Sequence, residues 1–413
     1  MAQRHIFDGY KVVDFTQALA GPGCTRLMAE LGAEVIKVEF APAGDISRTL
    51  PWIKDNGRSG YFLQHNRGKQ SLCLDPRTPE GRDILKQLIG KADIFIENFA
   101  PGVIGRLGLG WEVVHALNPR VIMCSISSFG QTGPLSHLPG YDPIAASYTG
   151  IFDNIGYPDG PPLPYGMSIG DISTAVNAYG AIVTALLDRA RTNEGQFVEV
   201  SLLETYFHMH DAAVQNYIGS KGQVQPTRFG LHHYALAPLG IFKGREKHIY
   251  ILSIPKDWPA FCKVIEREDL ITDPDFASVQ TRAQNRLRLA EIIQAWCATQ
   301  PDDAAIIEKF RAAHLPVAPV LSVPEALNEP HFIEREIAPA HDDRGLGEWR
   351  FPRVPMRFPK YPERRGLQAP FLGEHNTQIL GQTLGFSPER IAELHASGVL
   401  FAETPPVGVK PAD

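Results

Sequence analysis

Over the first 130 positions the apolar residues fall into short blocks separated by helical patterns. The blocks at 11–16, 35–39, 71–75, 93–97 and 120–128 are rich in Val, Ile, Leu and Phe, which predicts strands buried on both faces. Between them, 24–31, 81–91 and 111–117 repeat apolar residues at helical spacing, and Thr78-Pro79-Glu80 supplies a cap, a first-turn proline and a first-turn acid. Alternating strands and helices predict an α/β fold with a doubly wound parallel sheet. Ligands of such sheets lie outside the carboxyl ends of the strands. The loops at 17–21, 40–44, 75–78 and 98–102 are therefore expected to border one crevice.

The pattern lapses over 129–170, a Gly- and Pro-rich stretch of a length that usually serves function. It ends at Gly170-Asp171. A long helix is predicted over 172–191, with Ala175, Ala178, Ile182, Leu186 and Arg189 in phase and Gly195 beyond its end. Asp171 is expected to be its N-cap, beside unpaired N–H groups and the positive end of the helix dipole. That environment favours the ionised acid, as both a cap and a carboxylate nucleophile require. A strand at 196–202 and a helix at 203–218 follow, then a Gly-Ser-Lys-Gly break. The expected organisation is a large domain in 1–220, a smaller α+β domain in 225–325 and a segment, 326–413, that wraps the first.

Composition narrows the function. The chain has 413 residues, 44% hydrophobic and 21% charged, with net charge −6 and no run of Lys or Arg, which argues against a nucleic-acid surface. Five scattered cysteines form no C-x-x-C pair, so neither a disulfide framework nor zinc is expected. The N-terminus carries no apolar signal region and no stretch reads as a membrane span, which predicts a soluble cytoplasmic protein without membrane contact. The first turn holds Gly21-Pro-Gly23 and lacks G-x-G-x-x-G, so a nicotinamide oxidoreductase is disfavoured. His208 and His210 at i, i+2, and the adjacent His232 and His233, are poor metal pairs. Ser125, Ser127 and Ser128 lack the G-x-S-x-G elbow. Lys37, Arg77 and Arg106, near the expected crevice, are candidates to neutralise a phosphorylated ligand.

Several segments together resemble one family. They are Asp14-Phe-Thr-Gln-Ala-Leu-Ala-Gly-Pro-Gly-Cys-Thr25, Gly32-Ala-Glu-Val-Ile-Lys-Val-Glu39, Gly44-Asp45, Asn66-Arg-Gly-Lys69, Thr78-Pro-Glu-Gly81, Glu97-Asn-Phe99, Gly170-Asp171 and Leu372-Gly-Glu-His375. Nearly the whole chain resembles the class III CoA-transferases, of formyl-CoA transferase or carnitine dehydratase/bile-acid-inducible type. The resemblance implies a Rossmann-like large domain with a small α+β domain, in an interlocked homodimer. It implies no tightly bound cofactor: coenzyme A and its acyl thioesters are substrates, exchanged with carboxylic acids. Asp171 would be the nucleophile, with Asp142 and Gly170 in support and backbone N–H groups of the helix start facing the oxyanions. Coenzyme A contacts would come from Gln17, Ala18, Ala20, Leu74, Arg77, Asn98, Phe99 and Arg106.

On the substrate, the region 229–243 replaces the family's glycine-rich lid, and Leu50 stands where an oxalate-specific pocket has tryptophan. A small dicarboxylic acid such as succinate is expected instead of oxalate. An α-methylacyl-CoA racemase of the same fold is the nearest alternative, but its Gly-His-Asp corresponds to Gly140-Tyr141-Asp142, and tyrosine is a poor base near neutral pH. A CoA-binding protein without activity is the other alternative.

Overall fold

A computed structural model describes residues 5–50 and 58–405. Residues 1–4, on which the reading of the N-terminus partly rests, lie outside it. The chain forms two compact units: 1–149 with 165–211 and 333–413, and 150–164 with 212–332.

The first unit is built on a parallel sheet of β1 (Lys11–Phe15), β2 (Glu34–Phe40), β3 (Gln70–Leu74), β4 (Ile94–Glu97), β5 (Ile122–Ser127) and β6 (Gln196–Ser201). Their spatial order is β3-β2-β1-β4-β5-β6, the doubly wound order. Side chains alternate between its two faces. Val12, Val35, Ile94, Ile96 and Cys124 pack against α1 (Ala20–Glu30) and the long helix Ile169–Thr192. Val13, Ile36, Leu72, Phe95 and Met123 pack against the helix Pro79–Ile89 and the C-terminal residues Ile379, Leu380, Ile391 and Leu400. Burial on both sides explains why these strands read as continuous apolar runs.

The second unit holds a three-stranded antiparallel sheet, Leu239–Lys243, His248–Leu252 and Val317–Pro319. Its core gathers Phe242, Ile249, Trp258, Phe261, Leu289 and Phe310.

Several expectations need correction. Residues 150–164 belong with the second unit, which the irregular texture of 129–170 concealed. The helix expected at 203–218 is two, Leu202–His208 and Ala213–Gly219. A helix at Gly60–Asn66, begun by the Ser59 side chain accepting from Phe62 N–H, lies where no periodicity signalled it. By length and composition, Ile169–Thr192 is apolar enough to cross a membrane, contrary to the expectation that no stretch is. It packs on α1 so closely that a Cβ at Gly23 would lie 3.1 Å from that of Ala175.

Beneath the loop after β1 lies a buried ion pair. Asp14 Oδ2 accepts from Lys69 Nζ at 2.9 Å and from Thr25 Oγ1 at 2.6 Å, and Lys69 also donates to Pro22 O and Asn66 Oδ1. Burial alone would push the Asp14 carboxyl up; Lys69, Lys37 and the Thr16 and Thr25 hydroxyls overcome it and hold the group at about 2. Asp14→Asn keeps the shape but leaves Lys69 short of a countercharge. It should lower stability by about 3–5 kcal/mol in chemical denaturation at neutral pH. Because the folded value lies below the ordinary 3.8, the Asp14 contribution is present above pH 3.8 and lost as pH falls through about 2. The variant should therefore lose less stability than the native chain over that acid window.

Candidate active site

The strand order reverses between β1 and β4, and there the two following loops are tied together. Asn98 Oδ1 accepts from Gln17 N–H, and Asn98 Nδ2 donates to Gln17 O, both at 2.8 Å. Beside this clamp opens a cavity of about 370 Å³ whose walls include Gln17, Ala18, Ala20, Asn98, Phe99 and Asp171. Six of the residues singled out from the sequence are thereby brought together at a topological switch point.

Asp171 arrives on the helix Ile169–Thr192, but not as its cap. Ser168 is the N-cap residue and makes no side-chain capping bond; Asp171 is third in the helix. The free N–H groups of this first turn are capped from outside the helix. Tyr206 Oη accepts from Gly170 N–H at 2.9 Å and donates to Asp142 Oδ1 at 2.6 Å, while Asp142 Oδ2 accepts from Asp171 N–H at 2.8 Å. Asp142 and Tyr206 are buried. These two N–H groups are consequently unavailable to an oxyanion, which corrects the expectation that they face one.

Gly170 is required by its neighbour. A Cβ there would sit 2.1 Å from Tyr206 Cε2 and 2.9 Å from Asp142 Oδ2. The close approach is to this protein's own tyrosine.

The half-buried Asp171 carboxylate makes no hydrogen bond to any described residue. Burial, and then the nearby Asp142 carboxylate, push it up to about 7. The helix start does not hold it low as expected, because the dipole is outweighed by desolvation and by a like charge. Tyr61 lies within reach of the same charges: burial, then Asp171, Asp45 and Asp142, push its phenol up to about 12.

Over residues 7–376 the chain matches CoA-transferase family III. The chain belongs to that family. It is 33% identical over 396 residues to the succinyl-CoA:glutarate CoA-transferase of Mus musculus, covering 95% of this chain and 90% of that one. It is 31% identical over 408 residues to a formyl-CoA:oxalate CoA-transferase of Streptomyces avermitilis, covering 95% and 99%. The crystal structure of a CAIB/BAIF family protein from Brucella suis superposes with a TM-score of 0.80 at 32% identity, over 92% of this chain and all of that one.

In this class III CoA-transferase the remaining candidates lie along the same sheet edge, with different degrees of access. Arg77 is exposed and paired with Asp75 of its own turn at 2.8 and 2.9 Å. Arg106 is exposed at the end of the short helix Val103–Arg106. Neither lines the cavity beside Asp171. Leu74 is wholly buried in the core and its carbonyl accepts from Ala41 N–H, so its side chain is structural. Lys37 is likewise sealed, 2.7 Å from Asp45, and is no phosphate ligand. Tyr206 escaped the sequence reading because nothing in a helix pattern at 203–218 marks one tyrosine as reaching back to Gly170.

Gly170→Ala tests this packing. The methyl group must displace the Tyr206 ring and with it the external cap, so stability should fall by about 1–3 kcal/mol and CoA-transfer activity should drop sharply. Thermal melting read beside the transfer rate checks both.

Proposed function

We propose that the chain moves coenzyme A from an acyl-CoA thioester to a carboxylic acid by covalent catalysis on Asp171. The carboxylate attacks the thioester carbonyl and the C–S bond breaks, giving a mixed aspartyl anhydride and the CoA thiolate. The thiolate attacks the aspartyl carbonyl, forming an aspartyl-CoA thioester and releasing the first acid as its carboxylate. The acceptor carboxylate then attacks this thioester, and the returning thiolate takes up the new acyl group and frees Asp171. One difficult exchange becomes steps between comparably activated acyl groups. The reading is carried by an unpaired, half-buried carboxylate, made more basic than usual, in a cavity that also presents Gln17.

Coenzyme A would run from this cavity along the sheet edge, its reactive end near Gln17, Ala18, Ala20 and Phe99 and its phosphates toward Arg77 and Arg106. A small dicarboxylic acid such as succinate is the substrate class this reading favours. It draws on relatives named for succinyl-CoA with glutarate and for formyl-CoA with oxalate. A homodimer of interlocked chains would cover the apolar stripe of Ile172, Val176 and Leu187, which are 50%, 50% and 65% exposed. Five free, buried cysteines suit a reducing cytoplasm.

Incubation with an acyl-CoA, followed by hydroxylamine trapping and peptide mass spectrometry, should place an adduct on Asp171. Asp171→Ala should abolish both adduct and transfer while still binding coenzyme A; turnover by that variant would sink the mechanism. The attacking form is the carboxylate, so the transfer rate should rise with pH through about 7. Asp142→Asn removes the repelling charge and favours the ionised Asp171. Its rising limb should move to lower pH, though not fully to the ordinary carboxylate range, because burial remains the larger cause.

A further inference from the structure

We propose that Asn98 and the buried Lys37–Asp45 pair are positioning residues that hold the Gln17 side chain in the active cavity against a strained backbone at Ala18. Ala18 has φ +63°, in the left-handed region that alanine avoids. Strain of this kind persists only where the surroundings over-determine it.

Here they do. Lys37 Nζ donates to Thr16 O at 2.9 Å. Asn98 takes both backbone groups of Gln17. Asp45 Oδ1 accepts from Ala18 N–H at 3.0 Å and is itself fixed by Ser47 N–H at 2.8 Å and Ser47 Oγ at 2.7 Å. Thr16 N–H is taken by Asp14. The Lys37 and Asp45 side chains are fully buried, and removing two charges from water is costly. Desolvated charge and backbone strain are thus both concentrated on Thr16–Ala18. With that backbone committed, the Gln17 carboxamide is left without a hydrogen bond to any described residue, on the cavity wall that includes Asp171.

This changes the part played by Asn98. The family resemblance makes it a contact of coenzyme A, but both polar atoms of its amide are oriented by hydrogen bonds to the Gln17 backbone. It acts on the reaction through another residue. A direct contact would show itself in KM for the acyl-CoA, whereas a positioning residue shows itself in kcat. The inference rests on the transferase reading for its kinetic arm and on geometry alone for its exchange arm.

The experiment compares native chain, Asn98→Ala and the double variant Asn98→Ala/Ala18→Gly. By amide hydrogen exchange with residue resolution, Gln17 N–H in Asn98→Ala should exchange about tenfold faster or more, with a cooperative melting transition retained. The same variant should lose about tenfold or more in kcat, with KM for the acyl-CoA little changed. Glycine occupies positive φ without the penalty of alanine, so the double variant should regain several-fold of the lost kcat. A residue that merely stabilises the fold would not be rescued in this way. Unchanged Gln17 exchange, a loss confined to KM, or no rescue would each overturn the proposal. If Asn98→Ala does not fold, Asn98→Leu, which fills similar space while removing both hydrogen bonds to Gln17, carries the same comparison. Native chain that transfers no coenzyme A while Gln17 exchange still depends on Asn98 would refute the transferase reading and leave the brace standing.

Discussion

The contact between Gly170 and the Tyr206 ring is the constraint on which the reactive end of this fold depends. A helix start leaves N–H groups without partners, and the usual remedy is a capping side chain from the residue just before. Ser168 does not provide one. The acceptors come from elsewhere in the same unit, Tyr206 from the helix Leu202–His208 and Asp142 from the helix Asp142–Ser147. They reach the turn only because residue 170 has no Cβ. The Gly-Asp step is therefore a packing requirement, and its consequence is that a carboxylate is held beside another carboxylate.

Much of the sheet was legible in the sequence. Its strands are buried on both faces, so their apolar runs stand out, and their alternation with helices dictates parallel pairing. The carboxyl-end loops follow from that pairing, although of the four expected at the crevice 17–21 and 98–102 contribute to the cavity wall and 40–44 and 75–78 do not. Gln17, Ala20, Asn98 and Phe99 do line one cavity with Asp171. What could not be read depends on partners remote in sequence. Tyr206 lies 36 residues from the N–H it accepts, Asp142 lies 29 from its own, and no local period encodes such pairs. The sealed Lys37 misled for the same reason: a lysine at a strand end looks like a phosphate ligand until its partner, Asp45, is placed.

The two halves of the site are built on different principles. On the β1 side, full charges are buried in pairs, Lys37 with Asp45 and Lys69 with Asp14, and they set backbone geometry. On the helix side one charge, Asp142, is buried with no cation bonded to it among the described residues, where its hydrogen bonds come from Tyr206 and Asp171 N–H. Compensated charges make a rigid wall. An uncompensated one makes a field, and among the nearby groups exposed to it the carboxylate is Asp171.

That field suits the proposed cycle. An acyl group passing between a carboxylic acid and a thiol crosses between leaving groups of very different basicity, with ordinary values near 4 for the acid and about 8.5 for a thiol. A carrier as weakly basic as a free aspartate would form an anhydride reluctantly and surrender it at once. One as basic as a thiolate would hold the acyl group too well. Asp171 at about 7 lies between the two. Acylation also removes its negative charge, which relieves the repulsion from Asp142 at the step where a covalent bond must form. The buried Asp142 therefore raises the energy of the free carboxylate more than that of the acylated one, and the difference favours the chemical step instead of the resting state.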